Sequence, residues 1–264
     1  MPCRISTGPA LPASVSVTSL SERIGSAIAR CLHCLPSPRY GAAARALNLS
    51  VALMLALGLS AGAGPARAEI TLAALGDSLT QGYGLPQEEG FVPQLQAWLR
   101  AQGADVTVLN AGVSGDTTAG GLSRIGWTLT PEVDGLIVAL GGNDLLRGID
   151  PAASRANLDA ILTRAEAADV PVLLVGLDAP GNYGPEFKAA FDAMYPELAR
   201  AHDTLYFPNF LKGLTDLPDR GTAMARYMQD DGIHPSAAGV KLIVEAMGPS
   251  VLELVDRAGA GAGG

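Results

Sequence analysis

The chain has 264 residues, 48% of them hydrophobic and 17% charged, and a formal net charge of −8. That length allows one large domain or two small ones, with enough apolar residues for a sizeable core. The excess of acid disfavours nucleic acid and anionic membrane surfaces as partners. Charge is also unevenly spread. Residues 1–68 hold six of the 18 basic residues and one of the 26 acids, so the remainder carries a net charge of −13. Within this first stretch Ala46–Ala63 is uncharged, Arg39 and Arg45 precede it, and Ala66-Arg67-Ala68 follows with the small-x-small pattern of a signal-peptidase site. The expectation is a secretory signal over residues 45–68, cleaved after Ala68, with no stable membrane insertion afterwards. The alternative is an uncleaved anchor, for which the apolar run is just long enough.

Residues 1–44 are rich in Ser and Pro and show no hydrophobic period, so no stable structure is expected there. All three cysteines, Cys3, Cys31 and Cys34, fall in this leader. Cys31-Leu32-His33-Cys34 supplies only part of a tetrahedral ligand set, and no metal is expected from it. A mature domain without cysteine suits an oxidising compartment and has no thiol nucleophile.

From Glu69 onward short apolar runs alternate with amphipathic stretches. Ile70–Leu75, Val106–Asn110, Leu136–Leu140, Val172–Val175 and Thr204–Phe207 read as strands. Phe91–Gln102, Thr117–Leu129, Ser154–Ala168, Pro185–Ala201 and Ser236–Val255 read as helices, with apolar residues three and four apart. Strands apolar throughout, alternating with helices, predict a parallel sheet covered on both faces. The chain after the leader is therefore expected to be one doubly wound α/β domain over residues 69–256, followed by a flexible Gly/Ala tail over 257–264.

Two blocks carry the chemistry. Gly76-Asp77-Ser78-Leu79 ends the first strand, and Asp231-Gly232-Ile233-His234-Pro235 precedes the last helix. Serine is a poor nucleophile at neutral pH; it needs a base to take its proton and an acid to orient that base. Between them lie Gly112-Val113-Ser114-Gly115-Asp116 and Gly141-Gly142-Asn143-Asp144, which offer oxyanion donors.

These four blocks, in this order, resemble the SGNH (GDSL) hydrolase family. Asn182-Tyr183-Gly184 and Gln229-Asp230-Asp231 narrow the resemblance to its bacterial periplasmic thioesterase I/lysophospholipase L1/arylesterase group, over about Glu69 to Val255. The resemblance implies a flavodoxin-like sheet of order 2-1-3-4-5. It implies Ser78 as nucleophile, His234 as general base, Asp231 as its orienting acid, and an oxyanion site made by the Ser78 and Gly115 N–H groups and the Asn143 side chain. Ligands bind beyond the carboxyl ends of strands in such sheets, where Ser78, Gly115 and Asn143 all fall. Glycine at 115 is read as leaving room for close approach of the oxyanion. The expected substrate is a small-molecule acyl ester of short to medium chain, aryl esters included and thioesters and lysophospholipids within reach. Leu145, Leu146, Arg147, Ile149 and Tyr183 would wall the pocket.

Competing readings are weaker. Asp77, Asp116, Asp144 and a histidine loosely resemble a two-metal phosphoesterase, but only His202 and His234 lie beyond the leader. The plainer reading is that these acids cap helices or tie loops. Asp230 competes with Asp231, and Ser114 with Ser78. His202 reads as a surface residue. Gly-x-Ser-x-Gly occurs only inside the leader, at 58–62, G-x-G-x-x-G only in the Gly/Ala tail, at 259–264, and there is no P-loop, so no cofactor is expected. A carbohydrate O-acetyl esterase, a non-catalytic binding domain and a membrane-anchored protein stay as alternatives, and the expected state is a monomer or weak homo-oligomer.

Overall fold

Along the first strand Ile70, Leu72 and Ala74 join one buried cluster, while Ala73 and Leu75 join another. A strand apolar on both faces needs cover on both, and parallel sheets with crossover helices provide it. The computed structural model, which describes residues 69–261, has that form. The strands β1 (Ile70–Gly76), β2 (Val106–Gly112), β3 (Gly135–Ala139), β4 (Val172–Val175) and β5 (Leu205–Phe207) make one five-stranded sheet of order β2-β1-β3-β4-β5. Every pairing is parallel, as expected. The expected leader and its signal, residues 1–68, lie outside the described residues.

The helices are α1 (Ser78–Gln81), α2 (Phe91–Ala101), α3 (Thr118–Thr128), α4 (Gly142–Leu146), α5 (Pro151–Glu166), α6 (Pro185–Ala201), α7 (Lys212–Thr215), α8 (Arg220–Tyr227) and α9 (Ala237–Gly261). One face of the sheet is covered by α2 and α9. Leu95 and Leu99 come from the first, and Val240, Ile243, Val244, Met247, Val251 and Leu254 from the second. This spacing is the inward stripe of a helix. On the other face, Ile125 of α3, Leu158 and Ile161 of α5 and Phe191, Tyr195 and Leu198 of α6 pack over Leu75, Leu136 and Val138.

Two boundaries differ from the reading of the sequence by three residues or more. Helix α5 begins at Pro151, not Ser154, because Asp150 Oδ1 accepts the Ala152 N–H at 2.9 Å and proline suits the first helical position. The last helix does not stop at Val255: it runs to Gly261, so the tail assigned to 257–264 starts too early. Ala258 is only 4% exposed. Small residues let this end of α9 press against the sheet at Gly135, where an added Cβ would lie 3.6 Å from Ala258 Cβ.

β2 is an edge strand, and α2 reaches over its outer row of backbone groups. Gln96 Oε1 accepts the Val108 N–H at 2.8 Å, and Arg100 Nε donates to the Val106 carbonyl at 2.9 Å.

The sheet register positions the site. Gly76 at the end of β1 pairs with Gly112 of β2 on one side and Ala139 of β3 on the other. Three chain segments therefore leave the sheet at one level, and Ser78, Gly115 and Asn143 follow within a few residues.

Candidate active site

Ser78 opens α1 directly after β1. Its helix is capped by Asp77, whose Oδ1 accepts the Leu79 N–H at 3.0 Å. Ser78 Oγ lies 2.9 Å from His234 Nε2, and His234 Nδ1 lies 2.6 Å from Asp231 Oδ2. Because a carboxylate only accepts, Nδ1 carries the hydrogen and Nε2 is left to accept from the serine. Asp231 Oδ1 accepts the backbone N–H groups of Ile233 and His234 at 2.9 and 3.0 Å. The His234 N–H first, then its ring and the Ile233 N–H, hold the Asp231 carboxyl down at about 2. Asp231, not Asp230, is thus the acid that meets the imidazole.

The histidine loop is tied on both sides. The Gln229 N–H donates to the His234 carbonyl at 2.8 Å, and Gln229 Nε2 to the carbonyls of Tyr83 and Pro235 at 2.8 and 2.9 Å. The Tyr83 ring packs on the imidazole at 4.7 Å between centroids.

Asn143 is the second residue of α4. Its Nδ2 donates to the Asp116 carbonyl at 2.9 Å and lies 3.5 Å from Asp77 Oδ2. Gly115 occupies a turn closed by the Asp116 N–H on the Val113 carbonyl at 3.1 Å. The backbone supplies a reason of its own for glycine there. A Cβ would have as its only near protein neighbour Arg147 Nη2 at 3.8 Å, and φ is +84°. That left-handed conformation favours glycine at 115.

The three aspartates that suggested metals are each engaged otherwise. Asp77 caps α1. Asp116 pairs with Arg124 at 2.6 Å. Asp144, 1% exposed, accepts the Thr118 N–H and hydroxyl at 2.8 and 2.6 Å and the Ser154 hydroxyl at 2.9 Å. It locks α4 to the starts of α3 and α5 directly beneath Asn143. Ser114, the rival nucleophile, turns its hydroxyl to Gln81 Oε1. His202, read as a surface residue, is partly buried at the surface. It is wedged against α5 with its side chain 12% exposed, Nε2 at 2.9 Å from Asp159 and Nδ1 at 3.4 Å from Glu166.

Burial pushes the Asp77 carboxyl up to about 6, against the lowering effect of the Leu79 N–H. Its folded value lies above its unfolded one. The stability it contributes is therefore fully present below the unfolded value of 3.8 and is lost as pH rises through about 6. Asp77→Asn keeps an acceptor for the Leu79 N–H and has no charge to bury. Denaturant titrations at pH 4 and pH 8 are expected to show the wild type losing about 2–3 kcal/mol more than the variant across that interval. Parallel pH slopes for the two proteins would refute this account of Asp77.

A cleft of about 600 Å³ opens beside Ser78 and Asn143. Of the residues read as pocket walls, Leu145 and Leu146 line it; Arg147, Ile149 and Tyr183 do not. Arg147 turns to the Gly115 carbonyl at 2.8 Å, the Ile149 N–H returns to the Asp144 carbonyl at 2.9 Å, and Tyr183 packs on Phe187, its hydroxyl 3.3 Å from the Leu146 carbonyl. Following a strand end places a residue near the site but does not decide which way its side chain faces. The opposite wall, Leu211, Leu214, Met224 and Met228 among others, comes from the segment around α7 and α8. The apolar pairs in that stretch were its only signal, and they show no helical period.

Known proteins resemble this chain over the domain that carries the site. Residues 74–242 match the model of the GDSL-like lipase/acylhydrolase family. The chain is 39% identical to the esterase TesA of Pseudomonas aeruginosa over 70% of its own length and 89% of that protein. It is 35% identical to the thioesterase 1/protease 1/lysophospholipase L1 of Escherichia coli K12, over 73% and 88%. A crystal structure of TesA superposes with a TM-score of 0.63 at 38% identity, covering 70% of this chain and 99% of that one. The chain belongs to the GDSL-like lipase/acylhydrolase family and is an SGNH serine esterase, a carboxylic ester hydrolase.

Proposed function

We propose that this esterase hydrolyses short- to medium-chain acyl esters through an acyl-serine intermediate on Ser78. The observation that carries the reading is the continuous relay from Ser78 Oγ to His234 at 2.9 Å and from His234 to Asp231 at 2.6 Å. Ser78 Oγ attacks the acyl carbonyl while His234 Nε2 takes its proton. The tetrahedral intermediate collapses and expels the alcohol, to which His234 returns that proton. Water then repeats the sequence on the acyl-serine, releasing the acid and restoring Ser78. The N–H groups of Ser78 and Gly115 and the Asn143 amide stabilise the oxyanion in both halves.

The cleft wall formed by Leu145, Leu146, Leu177, Leu211, Leu214 and Met228 supports an apolar acyl chain. The names of the relatives extend the reading to thioesters and lysophospholipids. Rates on p-nitrophenyl esters from C2 to C16 test it: an optimum at short or middle length is expected. Activity on acetylated sugars alone would turn the assignment to a carbohydrate esterase.

The mature enzyme acts in the periplasm on this reading. The leader pattern ending at Ala68 supports export, and no described helix is long and apolar enough to cross a membrane. Mass spectrometry of the exported protein is expected to give an N-terminus at Glu69; a mass that retains residues 1–68 would count against export by cleavage.

A further inference from the structure

Arg124 projects from α3, does not line the cleft, and has a side chain only 16% exposed. Its guanidinium nevertheless ties together the segments that carry the oxyanion donors. Nη2 donates to the Gly76 carbonyl at 2.8 Å, two residues before Ser78. Nη1 donates to the Ala111 carbonyl at 2.6 Å, near the end of β2 and ahead of the turn that holds Gly115. Nε donates to Asp116 Oδ2 at 2.6 Å. The carbonyl of that same Asp116 receives the Asn143 amide at 2.9 Å. Glycine at 120 belongs to the same arrangement: a Cβ there would lie 2.6 Å from Asp116 Oδ1 and push the carboxylate aside.

We infer that Arg124 is a positioning residue for the oxyanion site, acting through Asp116 on Asn143 and Gly115. The inference rests on the serine-esterase reading above. A guanidinium presents its donors in fixed in-plane directions, so it can hold two strand ends and one carboxylate in a set relation. One of the two Asn143 amide hydrogens is committed to the Asp116 carbonyl, and that bond sets where the other one goes. A small displacement of Asp116 swings this donor, and oxyanion stabilisation depends on donors already in place when charge develops.

The test is Arg124→Lys, in which a point charge replaces the fork, measured beside Ser78→Ala. A kcat lower by about 10²-fold with KM within twofold is expected, the size of loss that misplacing a reacting group by an ångström produces. The affinity for an alkyl trifluoromethyl ketone should fall with it. That probe reads the same donors, because Ser78 Oγ bonds to its carbonyl carbon, the carbonyl pair moves onto oxygen, and the serine proton passes to His234. In the Asn143→Ala background the further loss should be smaller than in the wild type, since both changes act on one donor.

Arg124 also braces two strands, so Gly120→Ala serves where Arg124→Lys does not fold. It improves helix propensity, displaces only the Asp116 carboxylate, and is expected to lower kcat by about 10-fold without lowering Tm. Unchanged kcat in the folded variants, a rise confined to KM, or fully multiplicative losses with Asn143→Ala would overturn the inference. Activity surviving in Ser78→Ala would instead overturn the serine reading beneath it.

Discussion

Ser78→Ala is expected to lower kcat on p-nitrophenyl butyrate by about 10⁶-fold, with the protein folded and KM changed little. On the proposed mechanism one serine among the described residues is placed to attack the acyl group. Ser78 Oγ lies on the relay to His234, whereas the Ser114 hydroxyl is turned to Gln81. Alanine removes the attacking atom and leaves the helix cap intact, because the cap is Asp77 and not Ser78. Residual activity would come from the oxyanion donors acting on water, which in triad hydrolases is far from nothing. Equal rates in the two proteins would sink the mechanism outright.

Asp231→Asn is expected to cost about 10⁴-fold in kcat, through the wrong histidine tautomer and not through unfolding. Two backbone donors, the N–H groups of Ile233 and His234, point at Oδ1. An asparagine there must turn its carbonyl oxygen toward them, which places its NH2 where Oδ2 stood, 2.6 Å from His234 Nδ1. An amide nitrogen donates, so Nδ1 becomes the acceptor and the ring hydrogen moves to Nε2. His234 can then no longer accept the serine proton. The loop bonds survive the exchange, so Tm should move little. With Asp231 held at about 2, its own protonation is not expected to limit activity near neutral pH. A variant within tenfold of wild-type kcat would show that Asp231 does not set the tautomer.

What could be read from the sequence follows physical scale. The strands were legible because continuous apolar runs such as Leu136–Leu140 need burial on both faces, and the long helices because their apolar residues recur at three and four. The site residues at strand ends were legible because chemistry restricts which residue types can serve. The short helices α1, α4, α7 and α8 were not: a single turn or two has too few residues to show a period. Their existence depends on packing partners elsewhere, as α4 depends on Asp144 bonded to Thr118 and Ser154. Side-chain direction was also beyond reach. Arg147, Ile149 and Tyr183 occupy the right loops, yet none lines the cleft, Arg147 reaching the Gly115 carbonyl and Tyr183 the Phe187 ring. Arg124 gave no signal, because an arginine on a helix is ordinary until the ends of β1 and β2 and the Asp116 carboxylate converge on it.

The covering of β2 by α2 has a consequence for the molecule in company. A bare sheet edge is a template on which a second chain can add a strand, the usual start of ordered aggregation. Here an incoming strand would find the Val108 donor already taken by Gln96 and the Val106 acceptor by Arg100. It would have to strip away two side chains before gaining its first rungs. The Arg100 guanidinium also bonds the Thr107 hydroxyl at 3.1 Å and pairs with Glu69 at 3.3 Å, which holds it over the edge. An enzyme crowded among its own copies during refolding is thereby guarded at this edge of its sheet.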